Sequence, residues 1–203
     1  MGGLLRHLGA LVLALAVFGT PGLAAALPDA MSMGSPRARV VVEEYASPTC
    51  SHCARFNEEV FPAFKKKYVD TGKVRYVIHE FVTAPPDAAA MSWLMARCAG
   101  PKQYFAVIDA VMRSQSRWQA GQIRGVLKEI GMAHGLTDAQ VEACVRDENA
   151  QAALQKRMDN AMSQRGIDAT PTFYVNGVLL KAGEVTLEEL DAAIAAAAKG
   201  RKK

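Results

Sequence analysis

The sequence predicts an α/β protein in which a block of helices separates a βαβ unit from a ββα unit. Three observations predict it. A valine-rich run, "RARVVVEEYASP", switches at Ser47-Pro48 to helical spacing and is followed by a second alternating strand. From Asp87 to about Gly166 the apolar residues keep helical spacing, with short breaks. "TPTFYVNGVLLK" then reads as two strands around Asn176-Gly177, a pair that favours a two-residue hairpin turn.

Residues 39–46 begin with a continuous apolar run, which suits a buried, central strand. Phe56, Val60, Phe61 and Phe64 recur at helical spacing from Cys50 to about Tyr68, and Pro62, with no amide to donate, predicts a kink. Thr71-Gly72 ends that helix, and "KVRYVIHEFV" alternates as a strand through Val74, Tyr76 and Ile78. Strand, helix and strand in this order make a βαβ unit. The helical stretch that follows breaks at Gly100-Pro101, around 118–121 and at 131–135, which gives four or five short helices. Within it Thr137 and Gln140 form a capping box. After the hairpin, Thr186 caps a last amphipathic helix, "LEELDAAIAAAAKG".

Half of the 203 residues are apolar and 22% are charged, the composition of one compact domain carrying an insertion. The net charge of +4 comes from scattered basic residues, apart from Lys65-Lys66-Lys67 and the "KGRKK" tail. That pattern reads as solvated surface and gives no support to nucleic-acid binding. At the chain start, Arg6 and His7 lead into "LGALVLALAVFG", and "TPGLAAALP" offers small residues at signal-peptidase spacing. The apolar run is shorter than the ~20 residues a spanning helix needs. The expectation is a signal peptide over 1–26, cut after Ala26 or else Ala24, and export to an oxidising compartment. The remaining units are 27–86, a helical insertion over 87–166, and 167–203.

Cys50, Cys53, Cys98 and Cys144 survive that cut. An even count in an exported protein favours disulfides, and four cysteines leave three pairings open. Cys50 lies where a strand gives way to a helix, so its sulfur faces unsatisfied amides and the positive end of the helix dipole, which favour thiolate. Cys50 is therefore expected to be the attacking or attacked sulfur, and Cys53, one turn inside, the resolving thiol. His52 between them can hydrogen-bond or, when protonated, charge-pair with the thiolate, which stabilises the reduced form and makes the disulfide a stronger oxidant. A zinc site lacks a second CxxC and would have to draw on distant groups such as His79 or His134. A purely structural Cys50–Cys53 bridge closes a tiny loop and stabilises little. Copper(I) held by Cys50, His52, Cys53 and methionines is the soft-metal alternative, but Met91, Met95, Met112, Met158 and Met162 mostly fall at core spacing. No metal and no other cofactor is expected.

"CSHC" at a strand-to-helix junction, the helical insertion and the late "ATPTFYVNG" together resemble the thioredoxin superfamily. Within it, residues 39–200 look like the DsbA-like thiol:disulfide oxidoreductases of the bacterial periplasm. The resemblance implies a thioredoxin fold with a helical insertion and makes Pro171 a cis-proline facing the CxxC, with extended backbone at Thr170 offered to a substrate strand. Taken by itself, Thr170-Pro171 is only a strand start. The resemblance also makes Glu44 the acid beneath the buried cysteine, a proton shuttle with Arg75 as its partner. Strand alternation lets only one of Glu43 and Glu44 point inward. Cys98 and Cys144 are expected, again by resemblance, to pair and staple two helices of the insertion.

Ser51 departs from the "CPHC" of the best-known members, and Thr170 before the cis-proline is shared with isomerase-like and reductase-like relatives, so the redox potential is not carried over. Those isomerases dimerise through a separate N-terminal domain, and only a short stretch lies between Ala26 and the first expected strand, which favours a monomer. The implied activity is introduction of disulfides into newly exported, unfolded polypeptides, with reoxidation by a DsbB-like quinone-linked membrane protein. The alternatives are a periplasmic reductase or isomerase, and a copper-binding protein.

Overall fold

The computed structural model describes residues 30–118 and 121–200. The expected signal peptide over 1–26 lies outside the described residues. The valine-rich run forms β2, Val40–Ala46, at the centre of a five-stranded sheet. It runs parallel to β3, Val74–Glu80, and antiparallel to β4, Thr172–Val175, which pairs in turn with β5, Val178–Ala182. Val42, Tyr45 and Ala46 on β2 are all fully buried, because helices cover both faces of the sheet. A strand buried on both sides reads as a continuous apolar run, and this one does over residues 40–42 before Glu43 and Glu44 interrupt it.

One strand was not expected. Met31–Gly34 forms β1 and pairs antiparallel with β3, giving the order β1-β3-β2-β4-β5. "MSMG" does alternate, with Met31 and Met33 packed against the core, but two apolar residues in a run of four are too few to mark a strand. Its last residue has to be glycine: Gly34 has φ of 89°, and a Cβ there would sit 2.4 Å from the Val74 carbonyl oxygen.

The crossover from β2 to β3 begins with α1, Ser51–Arg55, then a wide π turn over Phe56–Val60, then α2, Phe61–Phe64, and a second π turn over Lys65–Val69. Pro62 sits at the start of α2, where its missing amide bends the helix, and the preceding π turn absorbs the bend. The apolar face of this segment seats on the sheet through rings: Phe56 on Phe173 at 4.7 Å, and Phe61 on Tyr76 at 4.9 Å between centroids.

Five α-helices fill the insertion: α3, Pro86–Cys98; α4, Tyr104–Arg113; α5, Ile123–Ala133; α6, Asp138–Arg146; and α7, Glu148–Arg165. A 3-10 turn, Ser114–Arg117, closes α4. Helix α3 is the axis of the block, with Trp93, Met95 and Ala96 fully buried. A Cys98–Cys144 disulfide joins its end to α6 with the Cα atoms 6.1 Å apart, and its sequence separation of 46 corresponds to about 4 kcal/mol of chain-entropy stabilisation. Glu80, at the end of β3 and only 2% exposed, ties the block to the sheet. It accepts from Arg97 Nε at 2.6 Å, Arg157 Nε at 2.7 Å and the Tyr104 hydroxyl at 2.9 Å. Unpaired, that carboxylate would be costly to bury.

The capping boxes at Thr137/Gln140 and Thr186/Glu189 are present, the second opening α8, Leu187–Lys199. Asn176 and Gly177 both have positive φ, as the tight hairpin requires. Among the described residues no helix is long and apolar enough to cross a membrane.

Gly131, expected as a helix break, lies inside α5 instead. A Cβ there would meet Met95 Sδ at 2.7 Å and Val141 Cγ2 at 2.8 Å, so the missing side chain is what lets α3, α5 and α6 pack. Gly131→Ala should therefore destabilise the protein by about 1–3 kcal/mol in urea denaturation despite the better helix propensity of alanine. An unchanged or raised midpoint would show that the three helices separate freely.

Candidate active site

Strand β2 delivers the chain into Ser47-Pro48-Thr49, a turn held by hydroxyls. Ser47 Oγ lies 3.1 Å from Thr49 Oγ1 and accepts from the Thr83 hydroxyl at 2.9 Å and the Thr83 amide at 3.2 Å. Cys50 is the N-cap of α1, with φ −79° and ψ 121°. Its amide donates to Ser47 O at 3.1 Å, and its carbonyl accepts the first helical bond from Ala54 N at 3.0 Å. Among the described residues no side chain caps this helix, so the amides of its first turn remain for the Cys50 sulfur.

Cys50 and Cys53 are free thiols, the first half-buried and the second fully buried. The Cys50 thiol donates to Thr170 O at 3.3 Å, across from a cis Thr170-Pro171 bond. Among the described residues the buried Thr170 hydroxyl has no hydrogen-bond partner. A hydrogen bond from the Cys53 thiol draws the Cys50 pKa down to about 5 against opposing burial. The Thr170 side chain and the Cys53 and His52 amides add to this. Cys53 is pushed well above the usual thiol range by burial first, then by its hydrogen bond to Cys50 and the nearby charges of Glu44 and Cys50. Ser51 is exposed at the first helical position.

The structure gives His52 a different neighbour from the one expected. Its exposed ring points to the C-terminal half, with Nδ1 2.5 Å from Glu184 Oε1, which also accepts from Arg55 Nη1 at 2.7 Å. Contacts with His52 and Arg55 hold the Glu184 carboxyl below its usual range. The His52 amide, rather than its ring, contributes to lowering Cys50.

Glu44 is buried on the Cys53 side of the sheet, where burial pushes its pKa up to about 8, opposed by a hydrogen bond from Tyr76 and reinforced by the Cys50 charge. Its partner is the Tyr76 hydroxyl and not Arg75, whose Nε instead donates to Ser32 Oγ at 3.2 Å. Adjacent residues on β3 point to opposite faces, which sends Arg75 away from Glu44. Alternation puts Glu44 alone on the Cys53 side, but Glu43 on the opposite face is buried as well rather than exposed. Helix α7 covers the second face, and there Glu43 meets His79 Nε2 at 2.8 Å and Arg165 Nη2 at 3.6 Å. Glu44 and Tyr76 line a cavity of about 350 Å³ that also touches Phe61, Phe105 and Met112.

His134 bonds Gln103 at 3.2 Å, so neither distant histidine adjoins the CxxC. Among the described residues no group of three or more His, Cys, Asp or Glu is placed to hold a metal. Met91, Met95 and Met112 are core residues, whereas Met162 is exposed. Sequence reasoning missed Tyr76 as the partner of Glu44, and it missed Glu184 and Gln115. The Gln115 Nε2 donates to Pro48 O at 2.8 Å and Cys50 O at 3.3 Å. No local pattern marks either residue, because both reach the site only through tertiary packing.

The two shifted groups give the reduced protein a testable pH profile. Cys50, with its pKa depressed to about 5, contributes stability that is present above the ordinary thiol value and lost as pH falls through 5. Glu44, raised from 4.5 to about 8, works the other way, and its contribution is lost as pH rises across that range. Denaturation of reduced Glu44→Gln between pH 5 and 8 should show stability rising more steeply than in the unaltered protein. Equal slopes would mean that Glu44 is ionised throughout.

A family model described as thioredoxin matches residues 26–196. A Rickettsia conorii protein named "Putative protein-disulfide oxidoreductase" is 31% identical over 166 residues, covering 81% of this chain and 58% of that protein. A Rickettsia bellii protein of the same name is 34% identical over 150 residues, covering 73% and 57%. The chain thus spans little more than half the length of these curated relatives. Among solved structures, a cysteine-to-alanine double variant of Wolbachia pipientis alpha-DsbA1 is similar with a TM-score of 0.80 and 26% identity, covering 87% of this chain and 94% of that one. Sheet order, helical insertion and family match agree: the chain belongs to the thioredoxin family, in its DsbA-like branch.

Proposed function

We propose that this protein is a periplasmic thiol:disulfide oxidoreductase that introduces disulfides into newly exported polypeptides. The observation that carries the reading is the contrast within one dithiol. Cys50 is accessible and favoured as thiolate, and Cys53, one turn away, is buried and favoured as thiol. Such a pair accepts attack at one sulfur only, and its reduced form is stabilised, which is what makes a disulfide oxidising.

In the oxidised enzyme a substrate thiolate attacks Cys50 Sγ, the Cys50–Cys53 bond breaks, and Cys53 leaves. Buried, Cys53 takes a proton, and Glu44 supplies it; the cavity beside Glu44 and Tyr76 gives that carboxyl its exchange with solvent. A second substrate thiolate then attacks the substrate sulfur held in the mixed disulfide. The substrate disulfide forms, Cys50 departs as thiolate, and two electrons have passed to the enzyme. The low Cys50 pKa makes it a good leaving group. No cofactor enters these steps.

Cis-Pro171 and the Thr170 backbone present an extended edge to the peptide, as in strand addition. Exposed Ser51 leaves the approach to Cys50 open. A groove of about 520 Å³ beside His52 and Glu184, lined by Arg55, Phe56, Val60, Val185 and Leu187, receives the flanking residues. It is built from the two halves of the thioredoxin fold. Residues 1–26 serve as the export signal, 27–86 and 167–203 as the redox fold and 87–166 as the insertion. The protein acts as a monomer and is reoxidised by a DsbB-like quinone-linked membrane protein.

Equilibration of the Cys50/Cys53 pair with glutathione tests the direction of electron flow. A potential well above that of thioredoxin, with oxidation of a reduced unfolded peptide, is the expected result. A potential near that of thioredoxin, about −270 mV, would make the protein a reductase and overturn the proposal.

A further inference from the structure

We propose that Gln115, on the helical insertion, is a positioning residue for Cys50, because its side-chain amide fixes the peptide planes that aim the first helical amides at the sulfur. The inference rests on the redox reading above and names a residue that acts through Cys50.

Gln115 sits in the 3-10 turn Ser114–Arg117. That turn is itself fixed, since Ser114 Oγ donates to Val111 O at 2.7 Å and accepts from Trp118 Nε1 at 2.9 Å. From this base the Gln115 Nε2 donates to Pro48 O at 2.8 Å and to Cys50 O at 3.3 Å, the carbonyls on either side of Thr49. The Cys50 carbonyl and the Ser51 amide belong to one planar peptide unit. Holding the oxygen therefore sets where the Ser51 N–H points, and the His52 and Cys53 amides follow from it along the helix.

No side chain of the active-site segment caps this helix start; the Cys50 carbonyl is held within the segment by Ala54 N at 3.0 Å, and Gln115 adds from outside a second restraint on it and ties it to the Pro48 carbonyl. Two further contacts run in parallel: Asn57 Nδ2 donates to Asp109 Oδ1 at 2.7 Å, and Arg113 lies 3.9 Å from Glu58. Helix α4 and its closing turn are thereby fastened to the active-site helix at its first and second turns. The insertion acts as the splint that keeps the sulfur and its donors in register.

The test uses two variants, Gln115→Met, which keeps the length without the donor, and Gln115→Glu, which turns a carboxylate toward the two carbonyl oxygens. Each is measured by thiolate ultraviolet absorbance against pH and by equilibration with glutathione, with melting temperature alongside. Gln115→Met should raise the Cys50 pKa and make the disulfide less oxidising, lowering the glutathione equilibrium constant by about fivefold, the ratio set by one neutral hydrogen bond. Gln115→Glu should lower it further. An equilibrium constant within about twofold of the unaltered protein in both folded variants would overturn the assignment, as would a fall in melting temperature with an unmoved thiolate titration. Failure of the unaltered protein to oxidise a reduced peptide would instead overturn the oxidase reading, and the ratio between variants would still decide the role of Gln115.

Discussion

A helix that starts without a side-chain cap has amides to give away, and here they are given to sulfur. Cys50 occupies the N-cap, and no serine, threonine or aspartate competes for the donors of the first turn. The thiolate therefore takes the place that a capping oxygen takes elsewhere in this chain, at Thr137 and Thr186. Cys53 receives the opposite treatment, since it is sealed against the sheet with the Glu44 carboxyl nearby. The difference between two identical side chains is thus a difference of placement, and the fold exists around the site to maintain it.

Each layer contributes to that placement. The double-sided burial of β2 fixes where the strand ends and so where Cys50 begins the helix. The same strand carries Glu44 toward Cys53 and Glu43 toward the opposite face, where His79 and Arg165 pair with it. Strand β4 brings cis-Pro171 opposite Cys50, and the loop leading into α8 brings Glu184 to His52. The insertion closes the remaining side through Gln115, while Glu80 and its two arginines lock it to the end of β3. A helical block that is an addition to the sheet in sequence is part of the site in space.

Much of this was legible in the residues. The valine run, the Asn176-Gly177 turn, the two capping boxes and the strand-to-helix position of Cys50 are local signals, and each appears where its chemistry requires. What escaped was of two kinds. Strand β1 escaped because its Met31/Met33 alternation is only four residues long, and Gly131 was misread because a helix tolerates glycine where two neighbours need the space. The partner of Glu44, the direction of the His52 ring and the reach of Gln115 escaped because they join residues remote in the chain. Glu43 shows what alternation leaves open: it sends the two glutamates to opposite faces, but it does not say that the second face is covered, and here that face carries α7.

The polarity of the dithiol is directly measurable. Alkylation of the reduced, folded protein across pH, with the modified cysteine located by mass spectrometry, measures it. The predicted result is a single modification at Cys50 with half-maximal rate near pH 5 and no reaction at Cys53 at neutral pH. Modification of Cys53 first, or a midpoint at the ordinary thiol value of 9, would contradict it.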